Sequence, residues 1–186
     1  GKARGVPVYR LLGGAVHSRL PVYASGGMDI SWDELREEME RHRANGFRAV
    51  KIRIGNGRER DVEKVRRIRE MVGPEFRIMV DAVQGHNPRP WSAYGALEVG
   101  RAIAPYGIDW FEEPCAATDY EGYAQVRRKG PLAMAGGDRS YTIHEFKRFF
   151  AAEALDIAQP DAAQSGGIQE CRRIATLAEA FGVKLA

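Results

Sequence analysis

Short runs of β-branched and aromatic residues recur along the chain, each followed by a stretch with helical periodicity. The runs are Pro21–Ser25, Ala49–Ile54, Arg77–Asp81, Ile108–Glu112, Leu132–Gly136, Leu155–Gln159 and Val183–Ala186. Their starts lie about 27 residues apart, the length of one strand–helix unit. Val62, Val65, Ile68 and Val72 predict one apolar helix face. Ser31-Trp32-Asp33-Glu34 predicts a capping box, in which hydroxyl and carboxylate satisfy each other's free backbone N–H groups, and Thr142-Ile143-His144-Glu145 predicts a second. Gly46, Gly73, Gly107, Gly130 and Gly182 stand where helices should stop and predict left-handed C-caps.

Strand–helix alternation requires parallel strands joined by helical crossovers. An open doubly wound sheet and a barrel both satisfy it. No G-x-G-x-x-G follows the first strand, which removes the main support for a dinucleotide fold. Eight units of this length need about 216 residues, inside the barrel range of roughly 200 to 400. The expected fold class is α/β, a (β/α)8-type TIM barrel with about seven strands in this chain. A seventh strand cannot close the barrel, so a C-terminal portion of the natural protein is expected beyond Ala186.

Composition narrows the function classes. The net charge is only +3 and no basic block carries interleaved aromatics, so a nucleic-acid partner is not expected. No apolar run approaches the ~18–20 residues needed to cross a bilayer, and the N-terminus lacks the layout of a signal peptide. Cys115 and Cys171 match no zinc spacing and are expected to be buried and reduced, as in a cytoplasmic protein.

Buried parallel strands should be apolar throughout, yet several of these end in charge, always at the same end. The second carries Lys51 and Arg53; the third ends in Asp81 and the fourth in Glu112 and Glu113. The fifth is followed by Asp138 and the sixth by Asp161. In a parallel barrel these ends share the face that carries the active site. Asp81, Glu112 and Asp138 brought together would repel unless one took up a proton or a hard cation such as Mg²⁺ joined them. Lys51 and Arg53, two apart on a strand, face the same cavity. Crowding by Arg53 and a dication is expected to lower the pKa of Lys51, as a base near neutral pH requires. The same acids could instead be caps on a non-catalytic barrel, which would bind no metal. Ser165-Gly166-Gly167 at a helix start leaves a metal-free phosphate enzyme as a third reading.

These residues resemble the mandelate racemase/muconate lactonizing enzyme branch of the enolase superfamily, over essentially the whole chain. Gly1-Lys2 through Leu12-Gly13-Gly14 is similar to the passage from the family's N-terminal capping domain to its barrel. Residues 1–20 are therefore expected to end that linker, and residues 21–186 to form the partial barrel. Lys51-Ile52-Arg53 sits where the family has Lys-x-Lys. Val80-Asp81-Ala82, Trp110-Phe111-Glu112-Glu113-Pro114 and Gly136-Gly137-Asp138 match the strand ends that supply three metal ligands. Gln159-Pro160-Asp161-Ala162 with Ser165-Gly166-Gly167-Ile168 matches the sixth strand.

The resemblance implies that Mg²⁺ binds a small carboxylate substrate, that a base removes the α-proton, and that metal and cations stabilise the enediolate. Asp81, Glu112 and Asp138 would hold the metal, and Glu113 would orient ligands or pair with a cation. Asp161 would orient a catalytic His expected beyond Ala186, and His86, in the loop after the third strand, could touch substrate. A homo-oligomer is expected, as family members commonly form one. The chain departs from the pattern at Arg53 and at Val83, where many members carry Asn. Guanidinium stays protonated, so Arg53 is a poor second base and would instead bind carboxylate or hydroxyl. Racemisation needs a base on each face of the carbon; dehydration runs with one. An acid-sugar dehydratase is therefore expected, with racemase, epimerase or cycloisomerase chemistry as the alternative.

Overall fold

The seven apolar runs become seven strands in a computed structural model that describes residues 1–186. They are β1 (Ala24–Gly26), β2 (Ala49–Arg53), β3 (Arg77–Asp81), β4 (Ile108–Glu112), β5 (Met134–Gly136), β6 (Ile157–Ala158) and β7 (Lys184–Leu185). Seven helices accompany them: α1 (Val8–Leu11), α2 (Trp32–Ala44), α3 (Arg58–Val72), α4 (Ala93–Ile103), α5 (Tyr120–Lys129), α6 (Ile143–Ala151) and α7 (Ile168–Ala180). The strands form one sheet in the order β1-β2-β3-β4-β5-β6-β7, and every neighbouring pair is parallel. This is the barrel arrangement left open, with β1 and β7 as edges. β1 and β5 to β7 are shorter than their apolar runs, and β1 begins only after Pro21, which has no N–H for a ladder.

Period-two alternation sorts the strand side chains between two cores. Val50, Ile52, Ile78, Val80 and Phe111 face the helices and join the larger cluster, with Val65, Ile68 and Val72 of α3. Ala49, Met79, Trp110 and Ala135 face the interior, with Tyr23 and Ile157 packed against them. The β3–β4 ladder breaks this regularity. Ile78 pairs with Ile108, but Val80 pairs with Phe111, so β4 spends one extra residue over that interval. The bulge changes the phase of β4 and sets Glu112 beside Asp81, both on the interior face.

Helix ends follow the sequence in part. Ser31 forms the reciprocal capping box with Glu34. Thr142 does not: its side chain makes no cap, Glu145 accepts instead from the Tyr141 N–H at 2.6 Å, and Glu170 of α7 accepts from the Ile143 N–H at 2.9 Å. A tertiary partner has taken the local cap's place. Gly130 is extended (φ −91°) rather than left-handed; glycine is needed there because a Cβ would lie 2.6 Å from the Val126 carbonyl.

Non-glycine residues with positive φ are Val83 (55°), Glu113 (46°) and Glu153 (54°). Glu113 follows directly on Glu112, and Val83 stands two residues after Asp81. A β-branched side chain is strained in this region, whereas Asn tolerates it. Val83→Asn is expected to stabilise the protein by about 1 kcal/mol in urea unfolding, and an unchanged or lower midpoint would contradict the strain. Phe111, fully buried between β4 and α4, is expected to cost about 3–5 kcal/mol on replacement by Ala, read by the same titration.

Candidate active site

Glu112, at the end of β4, is buried and accepts three hydrogen bonds. Lys51 Nζ donates to Oε1 at 2.5 Å; Trp110 Nε1 and Gln159 Nε2 donate to Oε2 at 3.1 and 2.8 Å. Lys51 also lies 3.9 Å from Asp81 Oδ2, while Asp81 Oδ1 accepts from the Val83 N–H at 2.9 Å. Ladder pairing fixes this contact, since Arg53, Asp81 and Glu112 stand level on β2, β3 and β4. Lys51, Arg53, Asp81, Glu112, Asp138 and Asp161 all line one open cleft of about 290 Å³, with Tyr23 and Gln159. Six of the sequence-predicted residues thus border the same cleft. Arg53 also borders a neighbouring cleft with His86, Asn56 and Asp29.

Asp81, Glu112 and Asp138, expected to share one cation, do not bring their ligand atoms within 4.8 Å of one another; Asp138 groups elsewhere. Its ligand atoms, with those of Glu113 and His86, all fall within 4.8 Å of one another. Arg139 already serves this second group: its Nε donates to His86 Nε2 at 2.5 Å, and it stands 4.0 Å from Asp138 Oδ2. A cation on that nitrogen would have to displace the guanidinium. Asp161 caps its own turn, accepting from the Ala163 N–H at 2.6 Å. Ser165 does not face an open anion site, because it is buried and its hydroxyl donates to the Ser140 carbonyl at 3.1 Å. Both cysteines are free; Cys115 is buried as expected, but Cys171 is half-exposed.

The electrostatics of the metal-free site run opposite to those expected with a dication beside Lys51. Burial alone would lower the pKa of Lys51, but the charge and hydrogen bond of Glu112, with Asp81, outweigh it, so the pKa is raised. Without a dication, Lys51 is held as an ammonium. Asp81 is pushed up to about 6 by burial and then by Glu112's charge, against the pull of Lys51. The carboxyl group of buried Glu113 is pushed up to about 7 by burial and then by Asp81, Asp138 and Glu112. Burial and then Arg139 lower His86.

Tyr23, Trp110, Arg139 and Gln159 belong to the site but were not singled out from the sequence. Arg139 and Gln159 had a signal, since each adjoins a strand-end motif. Tyr23 and Trp110 had none, because aromatic residues inside strands read as core.

Residues 34–186 match the family described as enolase C-terminal domain-like. The chain is 38% identical over 190 residues to the D-galactarolactone cycloisomerase of Agrobacterium fabrum, covering 100% of this chain and 49% of that protein. It is 37% identical over 195 residues to the D-galactonate dehydratase of Ralstonia nicotianae, covering 100% and 50% respectively. A racemase from Streptomyces coelicolor A3(2), solved with bound magnesium, superposes with a TM-score of 0.89 at 34% identity, covering 96% of this chain and 49% of the racemase. The chain spans about half the length of the curated relatives it matches. A family match over residues 34–186, on a parallel sheet whose strand ends carry charge inward, makes this chain a member of the enolase superfamily, within its mandelate racemase/muconate lactonizing enzyme branch.

Proposed function

We propose that the chain supplies most of the barrel of a Mg²⁺-dependent enzyme that removes the proton α to an acid sugar's carboxylate, with loss of water as the outcome. The observation that carries this reading is the contact of Lys51 with Glu112 and Asp81 on one interior face, at the carboxyl ends of three adjacent strands. In the same reading residues 1–20 end the linker from a capping domain, and residues 21–186 are the partial barrel.

The residues suit the cation. Asp81, Glu112 and Asp138 offer oxygen donors only, as a hard divalent ion prefers. Asp81 and Glu113 are both held above the usual carboxylate range, which marks negative charge that one ammonium does not balance. When bound, Mg²⁺ supplies Lewis-acid stabilisation for the charge that grows on the substrate carboxylate. Asp81, Glu112 and Asp138 would hold it, and Glu113 would orient ligands or pair with a cation. Lys51 and Arg53 place two cations on the carboxylate, Arg53 without accepting a proton. His86, beside Arg53 in the adjoining cleft, would meet the hydroxyl-bearing end of the substrate. Asp161 would steady a His base. Cycloisomerisation is the second reading, favoured by the 38% identity to the D-galactarolactone cycloisomerase.

Linkage gives a pH test. Asp81 and Glu113 have folded-state pKa values raised from 3.8 to about 6 and from 4.5 to about 7. Their contribution to metal-free stability is complete below about pH 4 and is lost as pH rises through about 6 and 7. Metal-free Tm is therefore expected to drop between about pH 5 and 8, and added Mg²⁺ to raise Tm more at the higher pH. An equal Mg²⁺ response at both would break the link between these carboxyls and the metal. The reaction itself is tested by incubating the full-length protein with acid sugars in D₂O. A 2-keto product carrying one deuterium per water lost is expected; α-deuterium exchange without water loss would reject dehydration.

A further inference from the structure

Glu112 is held by donors of two kinds. Lys51 is a cation on Oε1, whereas Trp110 and Gln159 are neutral N–H donors converging on Oε2. Gln159 is the less expected of the two. It follows β6, two strands from β4, and its side chain must cross the interior face of β5 to reach Glu112. β5 permits this because its interior residue level with Glu112 is only Ala135. The reach is tied down at its base, where the Gln159 N–H donates to the Gly136 carbonyl at 3.0 Å.

Packing alone does not account for a glutamine there. Gln159 is 9% exposed, and its Oε1 is buried with no partner. A half-satisfied buried amide is worse for stability than an apolar side chain of similar size. What the amide gains is one directed bond, and that bond ends on a carboxylate. Both neutral donors leave the charge of Glu112 uncompensated and fix only its orientation.

We propose that Gln159 is a positioning residue: with Trp110 it locks Oε2 of Glu112, so that Oε1 is the oxygen turned toward Lys51 and offered to the cation. The inference rests on the reading of Glu112 as a Mg²⁺ ligand. Outer contacts of this kind set metal affinity by about 10–100-fold.

The test measures Mg²⁺ affinity by titration calorimetry, and metal-free Tm, on the full-length protein and two variants. Gln159→Leu keeps volume and removes the donor; it is expected to weaken Mg²⁺ binding about 10–100-fold while metal-free Tm holds or rises. Trp110→Phe keeps the ring against Tyr23 and removes the indole N–H; a smaller loss of the same sign is expected. Wild-type binding with Gln159→Leu within about twofold of it overturns the positioning role and leaves the metal reading standing. If Gln159→Leu unfolds, Trp110→Phe decides, and unchanged affinity there overturns the role. A wild-type protein that does not bind Mg²⁺ removes both the ligand reading and this inference.

Discussion

One ammonium stands among more buried carboxylates than it can neutralise, and the interior end of this sheet is organised around that imbalance. Lys51 reaches Glu112 and Asp81, but Asp81 and Glu113 still sit above their ordinary pKa range. A fold selected only for stability would place apolar residues there, because an uncompensated buried charge costs several kcal/mol. The sheet tolerates it because the row below is dry and well packed, with Ala49, Met79, Trp110 and Ala135 forming a floor. Charge and hydrophobic layer are two successive interior positions of the same strands.

The loops after the strands repeat this division of labour in the backbone. Val83, two residues after Asp81, and Glu113, directly after Glu112, have positive φ, and the Val83 N–H returns to Asp81. Lys64 of α3, almost wholly buried, spends its ammonium on backbone carbonyls alone: Gly27, Met28 and Arg53, at 2.5, 3.0 and 2.9 Å. It ties the ends of β1 and β2 together and fixes the base from which Arg53 projects. Arg139 does the same on the far side, joining the loop of His86 to the segment after β5. Strain is thus held by surrounding contacts, as expected where loops carry the chemistry and the scaffold carries the stability.

Family membership and local chemistry answer different questions. The superfamily supplies a parallel sheet with acids at its strand ends, and its members include dehydratases and cycloisomerases. The local chemistry rests on this chain's own side chains, among them the Arg53 guanidinium beside Lys51 and the valine at 83. Arg53 borders both clefts and so couples the charged pocket to the one containing His86. Fold and function remain separable, and the residues at the strand ends carry the second.

Much of the architecture was legible in the chain itself, because repetition of an apolar run and an amphipathic helix leaves few ways to bury both. β3 and β4 were readable to the residue, and the charges at strand ends pointed to one face. Short strands were overcalled where an apolar run outlasts its ladder, as at residues 132–136 and 155–159. A local signal failed where a distant residue intervened: Glu170 displaced Thr142 as a cap. The sequence determined which acids end the strands, since identity and order are written in it. Only the tertiary structure decided which way those acids point: a one-residue bulge in β4 turns Glu112 inward beside Asp81, and alternation along a strand cannot reveal a change in its own phase.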